Sequence, residues 1–332
     1  MTDIQSTLAR LAKENDQRTS VFEVEIQELK NSTVTLSGRL LDRSQLEELH
    51  RLFPNLKLDT ALIRVLDAGT HEFVHVATSL TGLYERPTFN MPLSSELTYG
   101  TTLEVLDEKD NWVFTRQTDG YLGWVYRPYL SEGPAPAATH LVLTPSTELH
   151  THPEESSPVL TRLVSGTGVV LQEINDDWAR VQAHRSGWMR SSRLRSLAGI
   201  PSDVQEKRTC MASDAMRMIG VPYLWGGTSG NGIDCSGFAR LLHRWVGVDI
   251  PRDADMQYQA AFPVEPPYET GDLFFFGEGG SGRKVTHVGV SLGGWRVIHA
   301  SRGNNGVYID DLQEKWSLRD SFVRAGSFLR QK

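Results

Sequence analysis

The stretch Asp234-Cys235-Ser236-Gly237-Phe238 closes a Gly-rich loop and opens an apolar periodicity, and the rest of the chain is read outward from it. Behind Cys235, the residues Phe238, Leu241, Leu242 and Trp245 recur at the spacing of one helix face, and Gly247 marks its end. Cys235 is therefore expected at a helix start. There the unpaired amides and the helix dipole favour the thiolate of a group whose free pKa is about 8.5. A cysteine beside an apolar helix is often only a small buried hydrophobe. The flanking Asp234 and Ser236 make burial in an apolar core less attractive and favour a nucleophile.

A nucleophilic thiol needs a base within hydrogen-bond reach. Two histidines stand at strand-like positions, His287 in Thr286-His287-Val288-Gly289-Val290 and His299 in Val297-Ile298-His299-Ala300. Either alone reads as a structural histidine; together with Cys235 they form a catalytic set. His287 is expected to take the thiol proton and return it to a leaving amine, with His299 fixing its tautomer. The Cys235 backbone amide is the expected oxyanion donor.

The other cysteine, Cys210, falls in a helical stretch from Val204 to Ile219 among apolar residues and reads as structural. Two cysteines are too few for a disulfide framework. His71, His75, His140, His150, His152 and His184 are scattered without the spacing of a zinc site, so no metal and no cofactor is implied.

At 332 residues, two or more compact units are expected. Residues 1–70 read as a small α/β unit, with strand patterns at Val21 to Leu29, Thr33 to Gly38 and Leu62 to Leu66 and a helix from Asp42 to Phe53. Short strands and Gly or Asp turns then suggest one β-barrel over 72–131 and a looser copy over 137–198, joined by Gly133-Pro134-Ala135-Pro136. Trp112, Trp124, Trp178 and Trp188 are expected to pack in these barrels rather than to contact a ligand. Residues 203–332 hold the catalytic set.

A net charge of -7 without a basic cluster argues against nucleic acid or anionic lipid as a partner. No apolar run approaches the roughly 20 residues that span a bilayer. Met1 to Arg18 is polar and lacks the features of a secretory signal, so the chain is expected to stay in the cytosol.

Pro222-Tyr223-Leu224-Trp225-Gly226-Gly227, Asp234-Cys235-Ser236-Gly237-Phe238, Pro251-Arg252-Asp253, Gly271-Asp272-Leu273, His287-Val288-Gly289 and His299-Ala300-Ser301 together resemble the NlpC-type cell-wall peptidases. The resemblance covers roughly Val204 to Leu329. It implies an α+β papain-like fold with a Cys-His-His triad that cleaves bonds between γ-D-glutamate and a diamino acid. The paired blocks ending in Gly123-Trp124 and Gly187-Trp188 resemble bacterial SH3-like domains. Two such modules ahead of the peptidase domain are similar to the cytosolic γ-D-glutamyl-L-diamino acid dipeptidyl-peptidases, which recycle murein stem peptides and accept only a free N-terminal L-Ala.

By this resemblance, Tyr121 reaches the L-Ala amine and Asp234 and Ser236 bind the dipeptide; Tyr223 and Arg252, inside matching motifs, join the substrate-binding set. An acidic partner for the amine is implied as well, within a Ser-Glu-Leu motif. Ungapped alignment sets Met91-Pro92-Leu93 against that motif, leaving Glu85 or Glu96 as substitutes, of which Glu85 is the expected one. Ala254 stands where a serine is often found. The alternatives are an endopeptidase acting on intact peptidoglycan and a wall-peptide-binding protein with an inactive peptidase domain.

Overall fold

The polar N-terminal segment hides an element that its composition does not announce. Ile4, Leu8 and Leu11 share one face of a helix, Thr2–Glu14, and bury that face in the first core. The computed structural model describes residues 2–30, 33–67, 69, 71–278 and 284–330. Among these, the strands group into sheets of three, five, seven and six strands and two short ribbons.

In the first unit Phe22–Lys30 runs antiparallel to Thr33–Leu40, which pairs in parallel with Lys57–Val65. The crossover between the parallel strands is the helix Arg43–Leu52, started by a capping box between Asp42 and Gln45. The expected third strand at Leu62 begins five residues earlier, at Lys57. This unit is packed against its neighbour: Val21, Leu41 and Leu66 share a buried cluster with Leu106, Trp112, Phe114, Leu122 and Trp124. Arg39 and Arg64 both reach Asp107, at 3.2 and 2.6 Å.

The first barrel combines the sheet Leu130–Glu132, Glu72–Val76, Thr102–Lys109, Trp112–Arg116 and Leu122–Tyr126 with a ribbon of Leu80–Leu83 and Ser95–Thr98. The second repeats its hairpin. Thr102–Lys109 and Trp112–Arg116 are joined through Asp110 at φ 53°, and Gly168–Asn175 and Trp178–Gln182 through Asp176 at φ 51°. Each barrel then runs through a 3-10 turn into a short strand. Trp112, Trp124 and Trp178 are buried and Trp188 is half-buried, so the first three pack as expected.

The C-terminal unit stacks the helix Cys235–Trp245 on a sheet ordered Phe262–Val264, Phe322–Ser327, Leu273–Glu278, Lys284–Ser291, Arg296–Ser301, Gly306–Asp311. Phe238, Leu242 and Trp245 meet Phe275, Val288, Val290 and Ile298 in its core. The helix begins at Cys235 because Asp234 caps it, accepting from the Gly237 amide at 2.7 Å. The preceding helix, Val204–Met216, is three residues shorter than its apolar pattern suggested. It is fastened by the buried Arg208, which donates to Asp272 in the Gly271-Asp272-Leu273 turn at 3.1 Å.

Candidate active site

The two glycines of Trp225-Gly226-Gly227 are dictated by crowding. Gly226 has φ +77° and lies against Leu93 of the first barrel, where a Cβ would come within 2.6 Å of Leu93 Cβ; at Gly227 a Cβ would sit 2.3 Å from the Gly232 carbonyl. The loop is thereby pressed between the barrel and the start of the nucleophile helix. Its backbone pairs outward with the barrel, the Glu96 amide donating to the Gly226 carbonyl (2.9 Å), and inward with Asp234, whose amide donates to the Gly227 carbonyl (3.1 Å).

Cys235 is a free, buried thiol. Burial pushes it up to about 12, helped by the nearby Asp234 carboxylate and opposed by the Val288 and Ser236 backbone amides that face its sulfur. The bond to Val288 brings the thiol beside the strand position next to His287. Burial likewise holds His287 down at about 3. The helix address alone therefore does not make a thiolate. Burial thus disfavours a lone charge on either residue.

The tautomers follow from the partners. His287 Nε2 lies 2.7 Å from His299 Nδ1, and His299 Nε2 lies 2.9 Å from Asp310 Oδ2. The His299 and Lys315 hydrogen bonds hold Asp310 ionised, at about 2, so it can only accept, and His299 Nε2 carries a proton. With His299 neutral, its Nδ1 accepts from His287 Nε2–H, and His287 Nδ1 keeps the lone pair that can receive a thiol proton. Asp310 had no sequence motif to mark it. It sits on Gly306–Asp311, two residues beyond Tyr308, the residue that His299 faces in the register.

Around this set lies a buried polar network. Arg252, 1% exposed, grips Asp234 with both terminal nitrogens (3.1 and 2.7 Å), donates to Ser236 Oγ (2.9 Å) and sends Nε to Ser95 Oγ of the first barrel (2.9 Å). Asp234 also accepts from Gly226 N, Gly237 N and Ser236 Oγ. Its acceptor capacity is filled, so it orients Arg252 and Ser236 rather than offering its own oxygens to a substrate. Tyr223 is half-buried near Cys235, and burial raises its phenol.

At the barrel side stand Glu96 and Tyr121. Glu96, 7% exposed, accepts from the Thr228 amide (3.0 Å) and Ser229 Oγ (2.9 Å); burial raises its pKa, while those bonds and Arg252 pull it back. The expectation for Glu85 is corrected here. Glu85 is exposed, and no bond of the network reaches it, whereas Ser95-Glu96-Leu97 is itself the Ser-Glu-Leu motif that ungapped alignment misplaced onto Met91-Pro92-Leu93. Tyr121 is buried and donates its hydroxyl to Asp253 Oδ2 at 3.1 Å. Away from this network, Asp67, His71 and Glu104 converge, but Arg116 already donates to both carboxylates, at 2.9 and 2.7 Å.

A buried thiol at a helix start, a two-histidine relay on neighbouring strands and a neutralising carboxylate define a cysteine peptidase. Residues 220–325 match the NlpC/P60 family model, and residues 83–127 match the bacterial dipeptidyl-peptidase Sh3 domain. The chain is 28% identical over 263 residues to dipeptidyl-peptidase 6 of Lysinibacillus sphaericus, an alignment spanning 73% of this chain and 93% of the relative. It is 27% identical over 235 residues to a gamma-D-glutamyl-L-lysine dipeptidyl-peptidase of Bacillus cereus (65% and 70%). Among solved structures, an NlpC/P60 family protein from Bacillus cereus superposes with a TM-score of 0.68 at 23% identity, covering 78% of this chain and all of the other, which speaks to fold.

Proposed function

We propose that this protein is a dipeptidyl-peptidase that hydrolyses the bond between γ-D-glutamate and L-lysine or meso-diaminopimelate in murein stem peptides bearing a free N-terminal L-Ala. In this reading Cys235 Sγ gives its proton to His287 Nδ1 and attacks the γ-carbonyl carbon of D-glutamate. The Cys235 amide, first in its helix and without an intrahelical acceptor, faces the developing oxyanion. Collapse breaks the C–N bond as His287 returns the proton to the leaving amine. The same histidine then takes a proton from water, which opens the thioester and frees L-Ala-γ-D-Glu. Arg252 Nη2, which spends one of its two hydrogens on Asp234, supplies a donor for the glutamyl carboxylate.

The observation that carries the reading is Glu96. A barrel carboxylate is held buried near Arg252 and Asp234, on the residue that itself contacts the loop ahead of the nucleophile helix. A buried carboxylate is costly unless a cation joins it, and the ammonium of a short peptide supplies that cation. Both relatives are named dipeptidyl-peptidases, and the name of the one from Bacillus cereus, gamma-D-glutamyl-L-lysine dipeptidyl-peptidase, supports this class of substrate. Recycling of released peptides in the cytosol is the role that fits an enzyme demanding a free amine, since cross-linked wall attaches that L-Ala to its glycan.

The test is mass spectrometry of the purified protein with L-Ala-γ-D-Glu-meso-diaminopimelate, its L-lysine counterpart and the N-acetylated forms, beside Cys235→Ala. Release of L-Ala-γ-D-Glu from the free peptides alone, lost in the variant, is the expected result. Equal cleavage of blocked peptides would move the assignment to a wall endopeptidase.

A further inference from the structure

Neither family match reaches the residues before 83, yet one side chain of that region enters the cleft wall. Arg18 follows the first helix, and its carbonyl accepts from the Leu122 amide at 2.7 Å, which ties it to the strand after Tyr121. Its guanidinium is aimed by Asp16 and by a two-pronged contact with Asp255, Nη1 to Oδ1 at 2.8 Å and Nη2 to Oδ2 at 2.7 Å. Thus fixed, Nη1 also donates to Asp253 Oδ2 at 2.8 Å, the same oxygen that receives the Tyr121 hydroxyl.

We infer that Arg18 is a positioning residue for recognition of the substrate amine: the N-terminal unit completes the cleft by locking Asp253 in the orientation that anchors Tyr121. With its proton committed to Asp253, the Tyr121 oxygen presents only lone pairs to the cleft, which suits an ammonium donor and not a blocked amide carbonyl. Without Arg18, Asp253 and Asp255 are two carboxylates side by side with one cation fewer. Asp253 Oδ1 already lies 3.9 Å from Arg252 Nη1, and that cation becomes its nearest partner. Asp253 would then turn toward Arg252 and release the tyrosine. Only arginine can bind Asp255 with two nitrogens and still reach Asp253, so lysine is a poor replacement.

This inference rests on the proposed free-amine specificity, and the experiment separates the two. Kinetics of Arg18→Met, Arg18→Lys and Tyr121→Phe, singly and combined, are measured on L-Ala-γ-D-Glu-L-Lys and its N-acetyl form, with thermal unfolding of each variant. The expected result for Arg18→Met is a KM for the free peptide raised about tenfold with kcat within about twofold, and a smaller ratio of free to blocked turnover. Arg18→Lys recovers only part of that loss, and Arg18→Met adds little once Tyr121→Phe is present. Wild-type preference for the free peptide with Arg18→Met unchanged, with multiplicative effects, or with kcat lowered equally on both peptides, overturns the role of Arg18 alone. Wild-type indifference to acetylation, or no cleavage of either peptide, overturns the substrate reading and this inference together.

Discussion

The barrel of residues 72–131 hands Ser95, Glu96 and Tyr121 to the cleft, whereas its neighbour of residues 140–196 meets the peptidase domain without lending a side chain to the catalytic network. The second barrel accepts Trp245 Nε1–H on the Val142 carbonyl (3.1 Å), pairs Arg195 with the buried Asp214 (2.6 Å), and presses Pro145 on Gly230, where a Cβ would clash at 2.1 Å. The two share a hairpin plan and differ in what their ribbons touch. In the first, Ser95–Thr98 lies on the loop before the nucleophile. In the second, Val159–Val164 faces the other barrel, with Ser79 Oγ donating to the Arg162 carbonyl at 2.6 Å. A shared fold therefore carries no shared role; the edge that meets the cleft decides it.

The sharpest way to test that division begins in the relay outside both barrels. Asp310→Asn turns an obligate acceptor into a group that can donate, permits the wrong His299 tautomer and is expected to lower kcat about 1000-fold with little change in KM, read by steady-state kinetics. In the first barrel, Glu96→Gln keeps the shape and is expected to lower kcat/KM about 100-fold on free-amine peptide and hardly at all on acetylated peptide. Comparable loss on both peptides would remove the barrel's special role. Across the divide, Arg195→Met is expected to cost about 2 kcal/mol of stability in denaturant titration, by leaving the buried Asp214 with only the longer Arg217 Nε contact (3.4 Å), with kcat/KM within about twofold for the folded enzyme. A large kinetic loss there would dissolve the contrast.

Two pH effects are smaller. Burial raises Glu96, and the ammonium needs its charged form, so the acid limb of kcat/KM on free peptide should lie above a glutamate's ordinary value and vanish in Glu96→Gln. Asp310 is depressed to about 2, so its contribution to stability is present above its unfolded value of 3.8 and is lost as pH falls through about 2. Asp310→Asn should flatten that part of the unfolding profile.

The helix start at Cys235 and the pairing of His287 with His299 were legible because short local motifs mark them and the helix behind Cys235 repeats with a clear period. Glu96 was in plain view within Ser95-Glu96-Leu97, and a fixed alignment offset concealed it. Asp310 was not readable, since its partnership depends on the stagger of adjacent strands. The helix Thr2–Glu14 escaped notice because its three core residues are diluted by polar neighbours, and Arg18 acts on a carboxylate 235 positions away, a distance that no local pattern bridges.

The bond from Arg252 Nε to Ser95 Oγ has a bearing on how such enzymes are inherited. Domain shuffling works where a cut through a linker leaves each piece whole. A cut near residue 200 would leave this peptidase domain with an arginine short of one acceptor, and that arginine steadies the cap of the nucleophile helix. The first barrel and the peptidase domain therefore have to be exchanged together if that arginine is to keep all its acceptors.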